Sequence, residues 1–373
     1  MCYTHYACSR SFHGLPAAQG AAGCGEYDQN HPTRFIQKEQ HGGATVLKDG
    51  TPGTEATPRI LVTGAVGQIG SELVMELRRR HGGQSVVAAG HKTEPGPELR
   101  DSGPFVYVYV TRPETIEEVV EAHEIDTIYH LAALLSASGE KHPQLAWRVN
   151  LEGLHNVLEI AREHEISRVF WPSSIAAFGP DTPKDETPQE TVLRPTTMYG
   201  VTKVAGELLC NYYVERYGMD IRGVRYPGII SSETLPGGGT TDYAVEIFYE
   251  AIRHQRYTCF LEKNTVLPMM YMPDCIRATL MLMDAPFDQL EHHADFNLAG
   301  LSFSPAELAA EIKRHIPDFE ITYEPDYRQG IADSWPRTID DSAAREEWGW
   351  QPKYDLAAMV EDMLVNLRDR LED

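Results

Sequence analysis

A short apolar run that breaks on three glycines constrains this chain more than any other stretch. It reads Arg59-Ile-Leu-Val-Thr-Gly64-Ala-Val-Gly67-Gln-Ile-Gly70, and a helical pattern follows from Ser71 to Arg80. Strand, tight turn and helix in that order need a reversal that side chains obstruct and glycine permits. The same glycines let a ligand approach the backbone, and the amides at the new helix start can then face a pyrophosphate. Gly64, Gly67, Gln68, Ile69 and Gly70 are therefore candidate dinucleotide contacts. Three glycines alone describe a ligand-free turn equally well; their place at the head of a strand and helix series favours the ligand.

That series continues along the chain. Strand candidates are Ile60 to Thr63, Ser85 to Ala89, Phe105 to Val110, Thr127 to Leu131, Arg168 to Pro172 and Ile221 to Tyr226. Helical patterns cover Ser71 to Arg80, Pro113 to His123, Gln144 to His164 and Thr197 to Tyr217, with Pro113 suited to a helix start and Gly218 to a stop. The alternation predicts an α/β protein, a Rossmann-type doubly wound parallel sheet with helices on both faces. Beyond Tyr226 it becomes irregular. Helical patterns at Tyr243 to His254, Cys275 to Asp284, Pro305 to His315 and Asp355 to Leu371 are mixed with strand candidates Phe296 to Leu298 and Glu320 to Tyr323. The expected organisation is a leader or tail over 1–57, a dinucleotide-binding unit over 58–230 and a smaller, partly discontinuous substrate-binding region over 231–373, with a segment near 266–290 returning to the first unit.

Composition excludes several classes. With 55 acidic against 33 basic residues the formal charge is −22, which repels polyanions and argues against nucleic acid as a partner. No stretch approaches the ~18 consecutive apolar residues of a membrane-spanning helix, so no membrane partner is expected. Cys2, Cys8, Cys24, Cys210, Cys259 and Cys275 show no metal-ligand spacing, so no metal site is expected. Residues 1–57 lack an acidic residue before Glu26 but carry only Arg10 as a cation in their first thirty residues. A mitochondrial presequence and a disordered tail on a cytoplasmic protein both fit that stretch.

Chemistry enters with Met198-Tyr-Gly-Val-Thr-Lys203. Positions four apart share a helix face, so the Lys203 ammonium can stand beside the Tyr199 phenol and favour its ionised form. A phenol with a free pKa of roughly 10 needs such a neighbour to serve as a base. Ser174, in Trp171-Pro-Ser-Ser-Ile175, would orient a substrate oxygen.

The glycine turn, His130-Leu-Ala-Ala133, Asn150, Ser174, Tyr199 with Lys203, and Arg225-Tyr-Pro-Gly-Ile229 together resemble the extended short-chain dehydrogenase/reductases. More narrowly, Ala133-Leu-Leu-Ser-Ala137, Ser174-Ile-Ala-Ala-Phe-Gly-Pro180, Pro236-Gly-Gly-Gly-Thr-Thr-Asp-Tyr-Ala244, Leu267-Pro-Met-Met-Tyr271 and Asp333-Ser-Trp-Pro336 look like the metal-free L-threonine 3-dehydrogenases. The resemblance implies oxidation of the L-threonine β-hydroxyl to a ketone with NAD as hydride acceptor. Tyr199 would be the base, Lys203 would tune it and hold the nicotinamide ribose, and Ser174 would bind the reacting oxygen. The resemblance adds Leu131, Ala132, Ala133, Asn150, Tyr226, Pro227 and Ile229 to the cofactor contacts. For substrate it points to Ser136, Ser174, Tyr199, Thr240, Thr241 and Trp335, with free amides at Gly237 to Gly239 to hold a carboxylate. It also implies a homodimer that pairs through the tyrosine-bearing helix and its neighbour.

Two features depart from that pattern. After the second strand the chain reads Ala89-Gly90-His91-Lys92, with no carboxylate for the adenosine ribose; His91 and Lys92 suit NAD or, less readily, the 2′-phosphate of NADP. Thr111-Arg112 stands where many relatives carry an aspartate. Two other functions share the glycine turn: a nucleotide-sugar epimerase or dehydratase, and a regulator that senses NAD(P) without chemistry. The first needs basic side chains for a diphosphate, and the second has no use for Tyr199.

Overall fold

The computed structural model describes residues 57–234, 237 and 239–372; the expected leader over 1–57 lies, except for Thr57, outside them. The main sheet contains β1 (Ile60–Thr63), β2 (Val86–Gly90), β3 (Phe105–Tyr107), β4 (Thr127–His130) and β5 (Arg168–Phe170). After β6 (Ser173–Ser174), which belongs to a different sheet, β7 (Ile221–Arg222) completes it. The spatial order is β3-β2-β1-β4-β5-β7, and every pair is parallel.

Strand periodicity builds two cores from this sheet. Ile60 and Val62 of β1, Val86 and Ala88 of β2, and Phe170 of β5 enter one apolar cluster. Their neighbours Leu61, Val87, Ala89 and Val169 enter the cluster on the opposite face. Each side chain removed from water on either face contributes about 1.5–3 kcal/mol. The helices that cover the faces are α1 (Gln68–His81), the short α2 (Pro97–Asp101), α3 (Pro113–His123), α4 (Ser136–Lys141), α5 (Pro143–Trp147), α6 (Gly153–Glu163) and α7 (Met198–Tyr217).

Three local departures from expectation have physical causes. The single strand expected over Ile221 to Tyr226 is two: β7 pairs with β5, whereas β8 (Val224–Tyr226) pairs with β6. The break falls at Gly223, where a Cβ would lie 2.1 Å from the Trp171 carbonyl oxygen and the amide donates to His293 O at 2.9 Å. The helix expected over Gln144 to His164 is interrupted by a π turn, Arg148–Glu152, between α5 and α6. Finally α1 begins at Gln68, not Ser71, so Gly70 already lies in the helix and packs on the end of β1.

The rest of the chain adds β9 (Gly228–Ile230), α8 (Tyr243–His254), β10 (Arg256–Cys259), β11 (Leu267–Tyr271), α9 (Met272–Asp284), β12 (Phe296–Asn297) and β13 (Leu301–Phe303). It ends with α10 (Pro305–His315), β14 (Glu320–Tyr323), α11 (Arg328–Ala332), α12 (Ser342–Trp348) and α13 (Leu356–Glu372). Small sheets β12-β8-β6, β13-β11-β9 and β10-β14 stitch these elements together. A third apolar cluster is built by α8, α10 and α13 around Tyr243, Phe248, Leu308, Met359 and Met363. Met272, Cys275 and Ile276 of α9 instead join the cluster under β1 and α1.

Candidate active site

In a sheet whose order reverses at its first strand, the crevice opens at the carboxyl ends of β1 and β4. Gly64 follows β1 with φ +71°, and a Cβ there would stand 2.8 Å from the Ala132 amide nitrogen, so only glycine fits. A Cβ on Gly70 would meet Gly64 O at 2.2 Å, which explains how α1 can start directly against the turn. The first turn of α1 has neither a side-chain cap nor an acidic residue, leaving its amides and positive dipole end for an anion. The turn therefore fits a dinucleotide pyrophosphate.

One cleft is lined by Gly64, Gly67, Gln68, Ile69 and Gly70 from this turn, Leu131 and Ala133 after β4, and Tyr226, Pro227 and Ile229 around β8 and β9. Ser136, Ser174, Tyr199, Lys203, Thr240, Thr241 and Trp335 share the same wall. Ala132 and Asn150 are not part of the lining, nor are His91 and Lys92, which stand exposed past the end of β2. Asn150 instead clamps the loop after β4. Its Oδ1 accepts from the Leu134 amide at 2.7 Å, and its Nδ2 donates to Leu134 O at 3.0 Å and Thr202 Oγ1 at 3.2 Å. The π turn is what carries Asn150 inward to make these bonds.

Helix α7 presents the tyrosine. Thr197 caps it by accepting from the Gly200 amide at 3.1 Å, and Gly218 ends it with φ +67°. A Cβ on Gly200 would lie 2.2 Å from Ala176 O, so the helix start closes tightly on the segment that bears Ser174. Lys203 Nζ donates to Pro172 O at 2.5 Å and stands 4.6 Å from the Trp171 ring centroid and 5.4 Å from that of Tyr199.

The expected lowering of the phenol by Lys203 is not what sets its proton affinity here. Burial pushes Tyr199 up to about 12, while its bond with the Ser174 hydroxyl pulls the other way. Burial also pushes Lys203 down to about 7, partly offset by the Glu207 carboxylate one helical turn on. Both groups pay the same desolvation penalty for charge. Below the turn, burial and the Lys203 charge push His130 down to about 3, so it is neutral; its Nδ1 pairs with Thr63 Oγ1 at 2.7 Å.

The wall behind Ser174 was not foreseen. Glu207 bridges Arg225 through both oxygens at 2.9 Å, each side chain almost fully buried, and accepts from Ser173. Arg225 also donates to Gln189 O and Asn297 Oδ1, each at 3.1 Å. The available signal was the spacing Lys203 to Glu207, again four residues, on the face that already carried Tyr199.

On the substrate side the expected free amides need correction. The Gly239 amide donates to Asp242 Oδ2 at 2.6 Å and is occupied; Gly238 lies outside the described residues. Thr240 behaves differently: it is 1% exposed, lines the cleft, and its hydroxyl has no hydrogen-bond partner among the described residues. A buried hydroxyl without a partner costs about 1–3 kcal/mol, a penalty that a bound ligand can relieve.

Comparison with known proteins gives three kinds of match. Residues 60–299 match the model of the NAD dependent epimerase/dehydratase family. L-threonine 3-dehydrogenase, mitochondrial, of Sus scrofa is 46% identical over 348 residues, 92% of this chain and 92% of that one. A Staphylococcus haemolyticus protein named an uncharacterized epimerase/dehydratase is 51% identical over 313 residues, 84% of this chain and 98% of its own. The crystal structure of L-threonine dehydrogenase from Phytophthora infestans superposes with a TM-score of 0.81 at 53% identity, covering 84% of this chain and 99% of the other.

Proposed function

Since the chain belongs to the NAD-dependent epimerase/dehydratase family and is an NAD-dependent oxidoreductase, we propose that it oxidises the β-hydroxyl of L-threonine to give 2-amino-3-oxobutanoate. NAD, when bound, accepts the hydride from the β-carbon. Gly64, Gly67, Gln68, Ile69 and Gly70 hold its pyrophosphate end, and Leu131, Ala133, Tyr226, Pro227 and Ile229 flank the rest. Asn150 and Ala132 act through the loop they support.

Tyr199 takes the hydroxyl proton as the C–O bond becomes a carbonyl, Ser174 holds the reacting oxygen, and Ser136, Thr240, Thr241 and Trp335 hold the amino acid. Tyr199 and Lys203 are best treated as one unit. After its first proton leaves near pH 7, the remaining one resides on the phenol or on the amine, and the amine-bound form is the reactive base.

The observation that carries this reading is the convergence of Ser174, Tyr199 and Lys203 with the glycine turn and the orphaned Thr240 hydroxyl in one cleft. A nucleotide-sugar reaction is disfavoured because, among the described lining residues, Lys203 is the only cation available for a second diphosphate. The test is reduction of NAD by L-threonine, followed by absorbance. Turnover with a nucleotide sugar and none with threonine would replace this reading.

Two finer properties go with it. On α7, Val201, Leu208 and Tyr212 are 40%, 67% and 53% exposed at helical spacing, and on α5 Leu145 and Trp147 are also exposed. A surface helix normally turns polar side chains outward, so this apolar stripe supports pairing with a second copy. Light scattering should give twice the chain mass, and Leu208→Glu should halve it. Residues 1–57 are read as a mitochondrial targeting segment, in line with the name of the Sus scrofa relative. Fused to a fluorescent reporter they should direct it to mitochondria; a diffuse cytoplasmic signal would refute that.

A further inference from the structure

Past the end of β2, beyond the lining of the cleft, the chain is cationic where a carboxylate is ordinarily required. In doubly wound sheets an acidic side chain past the second strand binds the adenosine ribose hydroxyls of NAD, while a nearby cation accommodates a 2′-phosphate. Here β2 ends at Gly90 and continues His91-Lys92-Thr93. Glu94 is the first acidic residue afterwards.

His91 and Arg112 meet at one ring, and Lys92 follows His91 in the chain. The His91 imidazole meets Tyr109 edge-on at 4.7 Å, and the Arg112 guanidinium lies 5.2 Å from the centroid of that ring. Burial and the adjacent Lys92 charge both push His91 down, so at neutral pH it is an uncharged hydrogen-bonding group and the fixed charges are those of Lys92 and Arg112. Among the described residues neither Lys92 nor Arg112 forms an ion pair, although most arginines of the molecule do. In a chain of net charge −22 carboxylates are in excess, yet none of the described ones pairs with either side chain.

We propose that the adenosine end of this cleft accepts a 2′-phosphorylated dinucleotide, NADP, as well as NAD, with Lys92 and Arg112 as counterions of the 2′-phosphate and His91 as its hydrogen-bond donor. The inference rests on reading the cleft as a dehydrogenase site and concerns only its cofactor range. Arg112 supplies a planar fork for phosphate oxygens, and Lys92 a mobile point charge.

The test is titration of the full chain with NADH and NADPH, read by nucleotide fluorescence, with 2′,5′-ADP and 5′-AMP as competitors. NADPH should bind within about tenfold of NADH, and 2′,5′-ADP should compete better than 5′-AMP. Lys92→Ala with Arg112→Ala should weaken NADPH by about tenfold or more and move NADH by less than about twofold. NADPH binding more than about a hundredfold weaker than NADH in the unchanged protein overturns the proposal; so does an equal loss for both nucleotides in the double variant. Threonine-dependent reduction of both oxidised cofactors is followed in parallel. Tight NADPH binding without threonine turnover would fail the activity reading and leave the cofactor inference standing.

Discussion

The reaction end of the cleft and the rim past β2, where adenosine would lie, are built on opposite principles. At the reaction end Tyr199, Lys203, Glu207 and Arg225 are buried, and the ammonium, the carboxylate and the guanidinium all have partners. At the adenosine end His91, Lys92 and Arg112 are exposed, with His91 and Arg112 against the Tyr109 ring. Burial makes a charge expensive and therefore fixes its geometry, whereas exposure lets a charge change at little cost to the fold. Chemistry is thus locked at one end while cofactor choice can drift at the other.

The largest effect should come from removing the phenol. Tyr199→Phe keeps the ring and deletes the acid-base group, so kcat should fall by about 10²–10⁴ with NADH binding nearly unchanged. Its pH dependence sharpens the point. The pair loses its first proton near 7, so kcat/KM for threonine in the unchanged enzyme should rise as pH passes through about 7 and then level off. A rate independent of pH between about 6 and 9 would remove the Tyr199–Lys203 unit from the mechanism.

Next comes the wall behind the site. Glu207→Ala leaves Arg225 buried without its counter-ion, and breaking such a pair costs about 3–5 kcal/mol. Lys92→Ala, at the exposed end, should stay within about 0.5 kcal/mol of the unchanged protein. Urea unfolding midpoints compare the two directly. Equal, small losses would mean that the ends do not differ as their burial implies.

An intermediate case lies between the ends, on α1. Glu72 accepts from Ser231 at 2.6 Å, facing Glu233 and, across from it, Arg370, and burial pushes it up to about 7. A carboxyl whose folded pKa is raised contributes stability that is fully present below its unfolded pKa, about 4.5, and lost as pH rises through about 7. Because Glu72 is only half-buried, solvent screening limits the change to about 1–2 kcal/mol. Glu72→Gln should remove that part of the pH dependence, measured as Tm between pH 4.5 and 8; an unchanged profile would show that Glu72 ionises freely.

How much of this was readable beforehand follows the same division. Short apolar runs alternating with helical patterns located β1, β2, β4 and β5 nearly to the residue, and caps and punctuation located α3, α7, α8 and α10, because those signals are local. The split at Gly223 depended on the Trp171 carbonyl and on His293, both far away in sequence, and β10, with its alternating Arg256-Tyr-Thr-Cys259, gained strand status only by pairing with β14. At the site, residue identity and spacing pointed to Ser174, Tyr199 and Lys203. The displaced proton affinities did not follow from spacing, since they arise from desolvation by the whole fold. The capture of the Gly239 amide by Asp242 was hidden for another reason: a glycine run leaves amides accessible in sequence, and only the folded turn decides what they bond.

Thr240 offers the smallest effect and the most discriminating one, because stability and binding should move in opposite directions. Its hydroxyl is buried and unpartnered among the described residues, so Thr240→Val removes an unsatisfied polar atom at nearly constant shape. If that hydroxyl exists to meet the amino acid, folding should gain about 1 kcal/mol while KM for threonine rises about tenfold and KM for NAD stays put. A hydroxyl with a purely structural role would give the reverse, lost stability with unchanged KM. Lys92 and Arg112 should show neither response to threonine, since they stand outside the lining that holds Ser136, Ser174, Tyr199, Thr240, Thr241 and Trp335.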